Sequence, residues 1–475
     1  MRPKYIAAIE IGSSRIRGIV ASVDATAAIN VLAIEEVDSG DTVRYGRVQN
    51  AREAGALVNE IIRRLENNPR VAPGRISQVF VANGGRSVSS AHADANVRFD
   101  GEAEITAQTL ERLHKEARYN LATDRDVLAI APRCFTVDNS EVKKIVGAFG
   151  RNVHGDFTIV TASPENRRAL DRVVILSHDK AVDRDYVTRL LAQSEMALTD
   201  SDRQLGCLLV DFGAETTTLV IFRDGSLQAV LTLPMGSANI TRDLSAGLSI
   251  TAESAENIKV TKGRAAVERV NLQAPDEETR EIINYVSARV GEIIANINAF
   301  IEKAGFKASE LAAGAVVTGG GARLEGFAEM LEAQTKIKVR PAAVDSSIMI
   351  YPEGNAADHF DLISLVKYAA AHSDADCLDM PAADPVLEAT TVAVKTPVQP
   401  AQGTAQQRRR AMDINDDDLL KDDDDDQYDQ PDNINADTNL DDIAPKETAN
   451  ATREGLLQRF KNWLAPKVDD VDIDE

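Results

Sequence analysis

The chain has 475 residues, 44% of them hydrophobic and 27% charged, an ordinary composition for a soluble globular protein of about three folding units and one that excludes a disulfide-stapled mini-protein. Only 4% are aromatic and the formal net charge is −22, so no stacking platform for single strands or basic face for a duplex is expected, and no nucleic-acid partner. Residues 413–442 hold fourteen Asp and one Lys, a net charge of −13, which leaves the rest of the chain at −9.

The first residues, MRPKYIAAIEIG, run straight into a strand without the basic, apolar and small-residue order of a signal peptide. No apolar stretch reaches transmembrane length, so any membrane contact is expected to be peripheral. Residues 5–23, YIAAIEIGSSRIRGIVASV, predict strand, tight turn and strand around Gly12, Ser13 and Ser14. Residues 206–233, GCLLVDFGAETTTLVIFRDGSLQAVLTL, repeat that form about 200 residues later, with a further hairpin at Arg223, Asp224, Gly225 and Ser226. The recurrence suggests two related α/β halves. Next come PMGSANITRDL (234–244), a Gly-Ser turn before a helix, and AENIKVTKGRA (255–265), which sets Glu256 and Lys259 on one helix face. Within 275–305, Ile282, Ile283, Val286, Val290, Ile293, Ile294, Ile297 and Ile301 follow helical spacing and predict a long core helix. AGAVVTGGGARLEGFAEML (313–331) reads as a short strand, three glycines, and a helix with Leu324, Phe327 and Leu331 on one face. Periodicity stops near residue 382. Residues 382–450 are expected to be a disordered acidic linker, before an amphipathic segment at 451–466 and an acidic end at 467–475.

Cys134, Cys207 and Cys377 form no CxxC pair, and the six histidines form no HExxH or HxH motif. The cysteines suit a reducing cytoplasm, and neither set gives a metal site. The chemistry points instead to a nucleotide. A triphosphate needs close backbone N–H groups, hydroxyl donors, and a carboxylate near the metal that screens its charge. The first hairpin offers Gly12, Ser13, Ser14 and Arg15, with Glu10 placed to hold metal-bound water. The second offers Gly213, Thr216 and Thr217, with Asp211 at its strand end. Three consecutive glycines, Gly319, Gly320 and Gly321, leave room for a flat base or ribose at a helix start. Each element alone also occurs without a ligand: hairpins favour these turn residues, and Glu256 with Lys259 makes an ordinary surface ion pair.

In combination and order, these elements resemble the actin-like ATPase superfamily, and within it the FtsA family of bacterial cell-division proteins. The resemblance rests on IEIGSSRIRGIV, LTDSDRQLGCLLVDFGAETTTLVIF, PMGSANITRDL, AENIKVTKG and VVTGGGARLEGF, and on a variable linker ending in an amphipathic segment. It implies an α/β, actin-like (ribonuclease H-like, duplicated), two-lobed ATPase fold. Lobe I would comprise 1–83 with 162–202 and 341–381, an FtsA-type assembly subdomain would span 84–161, and lobe II would span 203–340. By position, Gly12, Ser13, Ser14, Arg15, Asp211, Gly213, Thr216 and Thr217 would face the phosphates of ATP. Gly236, Ser237, Glu256, Lys259 and Gly319 to Gly321 would surround ribose, adenine and α-phosphate, and Glu10 and Asp211 would hold magnesium through water. The implied partners are FtsZ and other division proteins, further copies of the chain in a filament, and membrane lipid. The implied place is the cytoplasmic face of the inner membrane at the division site.

Two departures bear on catalysis. The first strand ends in Glu10 where the family often has Asp, and the second turn reads GAETTT where the commoner version has further glycines and an acid in the place of Thr218. Ala214 and Glu215 are expected to crowd the γ-phosphate, so binding is a safer inference than hydrolysis and no catalytic residue is assigned. The competing functions are a small-molecule kinase of the same superfamily and an actin-like scaffold of pilus assembly. The tail argues against both. At about 100° per residue, Leu456, Leu457, Phe460, Trp463 and Leu464 share one helical arc flanked by Arg459 and Lys461, a pattern for lying in a membrane surface.

Overall fold

Two antiparallel hairpins with turns of the same length organise the molecule. In the first, Lys4–Ile11 pairs with Arg15–Val23, setting Ile11 opposite Ile16 and Glu10 opposite Arg17. In the second, Cys207–Phe212 pairs with Thr217–Arg223, setting Phe212 opposite Thr217 and Asp211 opposite Thr218. The turns close alike: the Gly12 N–H donates to the Arg15 carbonyl at 3.1 Å and the Gly213 N–H to the Thr216 carbonyl at 2.9 Å. The computed structural model describes residues 3–176, 182–267, 276–345, 347–350 and 354–380. The linker, amphipathic segment and acidic end expected at 382–475 lie outside the described residues.

Each hairpin sits inside a larger sheet. The first belongs to a six-stranded sheet in the order Asp183–Thr188, Gln78–Asn83, Lys4–Ile11, Arg15–Val23, Ile29–Asp38, Met349–Ile350. Lys4–Ile11 is buried from Ile6 to Ile11, as near-continuous apolar strands are when helices cover both faces of a sheet. The helix Ala51–Asn67 buries Val58, Ile61, Ile62 and Leu65. It comes this close because position 18 is glycine: a Cβ there would lie 2.5 Å from Ile61 Cγ2. Asn50 caps that helix through the Glu53 N–H.

The second hairpin lies in a nine-stranded sheet whose far part is built by residues 89–162. There Ser89–Glu104, Phe149–Ala162 and Asp126–Val137 form antiparallel pairs, covered by the helix Ala107–Asn120. Phe157 is fully buried at their centre, edge-on to Phe135 and His114 at ring distances of 5.8 and 5.2 Å. The pairing of Leu231 with Ser89 joins this part to Ser226–Leu233. The long helix forms as Glu277–Lys303, and all eight isoleucines and valines of its predicted stripe are buried. Beyond Gly314–Thr318 the expected helix starts late. Residues Gly320–Arg323 make a 3-10 turn, Gly326 adopts φ of +77°, and the helix runs Phe327–Thr335, so Met330 rather than Leu324 shares its buried face. The left-handed residue before Phe327 breaks the helix that spacing alone extends backwards.

Candidate functional site

The carboxyl ends of the hairpin strands open on a cleft of about 840 Å³, within the range of small-molecule sites. Of the residues expected to hold nucleotide or metal, all but Thr217 and Gly236 line it. Thr217 is fully buried and its hydroxyl donates to the Met235 carbonyl at 2.8 Å. Gly236 serves the backbone: a Cβ there would come within 2.3 Å of the Ala214 carbonyl oxygen, so only glycine lets this loop close on the second hairpin. The three consecutive glycines also divide their roles. Gly319, at φ +89°, packs against Asp211 and the Phe212 carbonyl, and Gly321 against the Phe212 ring, whereas a side chain at Gly320 would meet nothing within 4 Å. Gly320 is thus the open floor for a flat group.

Arginines organise the base of the cleft. Arg189, the first residue of the helix Arg189–Ala197, donates from Nη1 to Glu10 Oε1 at 2.8 Å and from Nη2 to Asp211 Oδ2. Arg17 donates to Glu10 Oε2 and, at 2.9 Å, to Asp361 Oδ2. Gln193 Nε2 donates to the other Asp361 oxygen at 2.8 Å. Burial opposes the charge of both arginines, yet their carboxylate neighbours outweigh it and hold both guanidinium pKa values above the ordinary value. Burial raises Asp361 as well, but Arg17 and Arg189 prevail and keep it below the usual carboxylate range. Asp211 touches only one guanidinium, and burial there wins over Arg189, pushing its pKa up to about 6. Three carboxylates share two cations, so the cluster is one positive charge short and its least compensated acid holds a proton most readily.

This donor set does not fit the magnesium expected at Glu10 and Asp211. A hydrated magnesium ion asks carboxylate oxygens to accept from its waters. Both Glu10 oxygens are engaged by guanidinium groups, as is one Asp211 oxygen, while the other Asp211 oxygen packs beside Gly319. Among the described residues no group of three or more His, Cys, Asp or Glu is arranged to hold a metal. Arg15, expected to serve the phosphates, pairs instead with Glu36 on the neighbouring strand and stands half-exposed at the rim.

The departures in the second turn also have structural partners. Glu215, expected to crowd the γ-phosphate, turns to the other half of the cleft: its carboxylate accepts the Tyr45 N–H at 2.6 Å and Arg44 Nη1 at 2.9 Å. The Gly46 N–H donates to Ser13 Oγ at 2.7 Å. Thr218 and Thr232 share a buried hydroxyl hydrogen bond at 3.1 Å. Lys259 is buried, donating to the half-exposed Glu256 at 2.7 Å and to Thr241 at 3.0 Å, so through Thr241 this pair ties two helices at the cleft wall. Sequence reasoning missed Arg17, Arg189, Asp361 and the Arg44–Tyr45 contact. Arg17 had a signal, since a turn closed by Gly12 and Arg15 sets it opposite Glu10; Arg189 and Asp361 had none.

A family model described as Cell division protein FtsA matches residues 208–373, and one described as the SHS2 domain inserted in FTSA matches 85–161. The chain is 26% identical over 359 residues to Cell division protein FtsA of Porphyromonas gingivalis, covering 72% of this chain and 74% of that protein. It is 24% identical over 360 residues to Cell division protein FtsA of Escherichia coli strain K12, covering 72% and 84%. Among solved structures it resembles a chain of the PilM-PilN type IV pilus biogenesis complex, with a TM-score of 0.54 at 15% identity, covering 77% of this chain and 97% of that one.

Proposed function

We propose that this chain, which belongs to the FtsA family of cell division proteins and has an actin-like fold with an inserted SHS2 domain, is an ATP-binding protomer that assembles into filaments on the cytoplasmic face of the membrane. There it anchors FtsZ filaments and helps build the division septum. The observation that carries the nucleotide reading is the matched pair of hairpin turns facing one cleft, with Gly320 open at its floor. Gly12, Ser13, Ser14, Gly213 and Thr216 would meet the phosphates, and Ser237, Glu256, Lys259 and Gly320 the nucleoside. The part at 84–161 would carry self-association, between lobe I (1–83, 162–202 and 341–381) and lobe II (203–340). Leu456, Leu457, Phe460, Trp463 and Leu464 would enter the acyl boundary, with Arg459 and Lys461 at the headgroups. The kinase reading needs a free carboxylate at the reacting end, whereas Glu10, Asp211 and Asp361 are all held by arginine.

ATP should raise the melting temperature of the purified full chain, because a ligand that binds only the folded state stabilises it by mass action. Gly320→Trp fills open space and should abolish that rise while folding normally. An equal ATP-induced rise in parent and variant would place the nucleotide elsewhere.

A further inference from the structure

In a triphosphate site two charge problems must be solved together: the carboxylates at the strand ends repel one another, and the phosphates repel the carboxylates. A divalent cation between them solves both. Here a guanidinium already stands in that place. Arg189 bridges Glu10 of the first hairpin and Asp211 of the second, which are equivalent positions in the two registers. Its side chain is 17% exposed and lines the cleft.

The position is costly for a cation in one respect. Arg189 opens a helix, where the unpaired backbone N–H groups disfavour positive charge. Its two carboxylate partners supply what holds it there. For a hydrated magnesium ion to take its usual seat it would have to displace the guanidinium from both acids, stranding a buried charge without partners.

We propose that Arg189 replaces the divalent cation of this cleft, so that the chain binds adenine nucleotide without magnesium. The proposal rests on the nucleotide-binding reading above. Arg189 bridges the facing acids, and the planar fork of its guanidinium, which remains charged at any working pH, sets their spacing. Ser13, Ser14 and Thr216, with the backbone of the two turns, then meet the phosphates directly.

The test is calorimetric titration of the full chain with ATP, once with magnesium and once with excess EDTA. Parent Kd values within about threefold of each other support the proposal, since a metal that bridges protein and phosphate changes affinity by more than tenfold when removed, about 1.4 kcal/mol for each tenfold. Arg189→Gln removes the resident charge, and its ATP binding should become magnesium-dependent by about tenfold or more. Arg189→Lys keeps a cation and should stay closer to the parent, and circular dichroism checks that both variants fold. A parent that binds ATP only with magnesium overturns the proposal and leaves the nucleotide reading standing. Binding in neither buffer overturns the nucleotide reading and this proposal with it.

Discussion

Replacing Glu215 by alanine should loosen the two halves of the cleft from each other, and the size of the effect can be worked from its contacts. The Glu215 side chain is 4% exposed and accepts from the Tyr45 N–H at 2.6 Å and from Arg44 at 2.9 Å. Arg44 is half-exposed and also pairs with Asp41, so its share is at most about 1 kcal/mol. The bond from the Tyr45 N–H to a buried carboxylate is charge-assisted and contributes about 1.5–3 kcal/mol. Tyr45 also holds φ of +53°, a backbone state that a non-glycine residue keeps only when its surroundings fix it. The expected loss is therefore about 2–4 kcal/mol by urea unfolding of the full chain, and Glu215→Gln, which keeps an acceptor oxygen, should lose about half as much. Amide exchange at Tyr45 and Gly46 should accelerate by about tenfold or more in the alanine variant, because their bonds to Glu215 and Ser13 open together. Stability within about 0.5 kcal/mol of the parent, with unchanged exchange at these amides, would refute the reasoning.

The three glycines should respond differently to the same small change. Gly319→Ala forces a side chain into φ +89° and against the Phe212 carbonyl at 2.5 Å, so about 2–4 kcal/mol of stability should be lost in urea unfolding; Gly320→Ala, with open space around it, should stay within about 0.5 kcal/mol. At the other end of the chain, the fluorescence of Trp463, the only tryptophan, should shift blue when anionic vesicles are added, and Phe460→Glu with Trp463→Glu should abolish vesicle co-sedimentation. Binding by one copy should be weak and become firm when several copies act together.

The hairpins, the long helix and the strand before the three glycines were legible because their signals are local. Alternating β-branched residues, turn residues and a stripe from Ile282 to Ile301 each state their own geometry within a few residues. The charge network was legible only at the hairpins, because Arg189 and Asp361 reach them only after folding. Arg189 lies 179 positions from Glu10, and Arg17 lies 344 positions from Asp361. Composition marks Arg189 and Asp361 as ordinary charged residues. The glycines were legible as a motif but not in their separate duties, which depend on where Phe212 and Ala214 stand. Glu215 shows the same limit: its charge suggests repulsion of phosphate until its partners, 170 and 171 positions away, are known.

The two hairpins share a register, and the difference in charge opposite their strand-end acids explains the asymmetry of the cleft floor. Opposite Glu10 stands Arg17, and opposite Asp211 stands Thr218. The first acid therefore has a guanidinium from its own hairpin as well as Arg189. The second has Arg189 alone, because the hydroxyl opposite it is turned to Thr232. A fully buried carboxylate with one charged partner is under-compensated, and this is why burial dominates at Asp211 and lifts it to about 6 while Asp361, which feels both Arg17 and Arg189, stays low. The same asymmetry sets the consequence of losing Arg189: Glu10 would keep Arg17, whereas Asp211 would face the cleft with no cation at all. The demand for an external metal would then fall on the second hairpin, where Thr218 offers no carboxylate to share it.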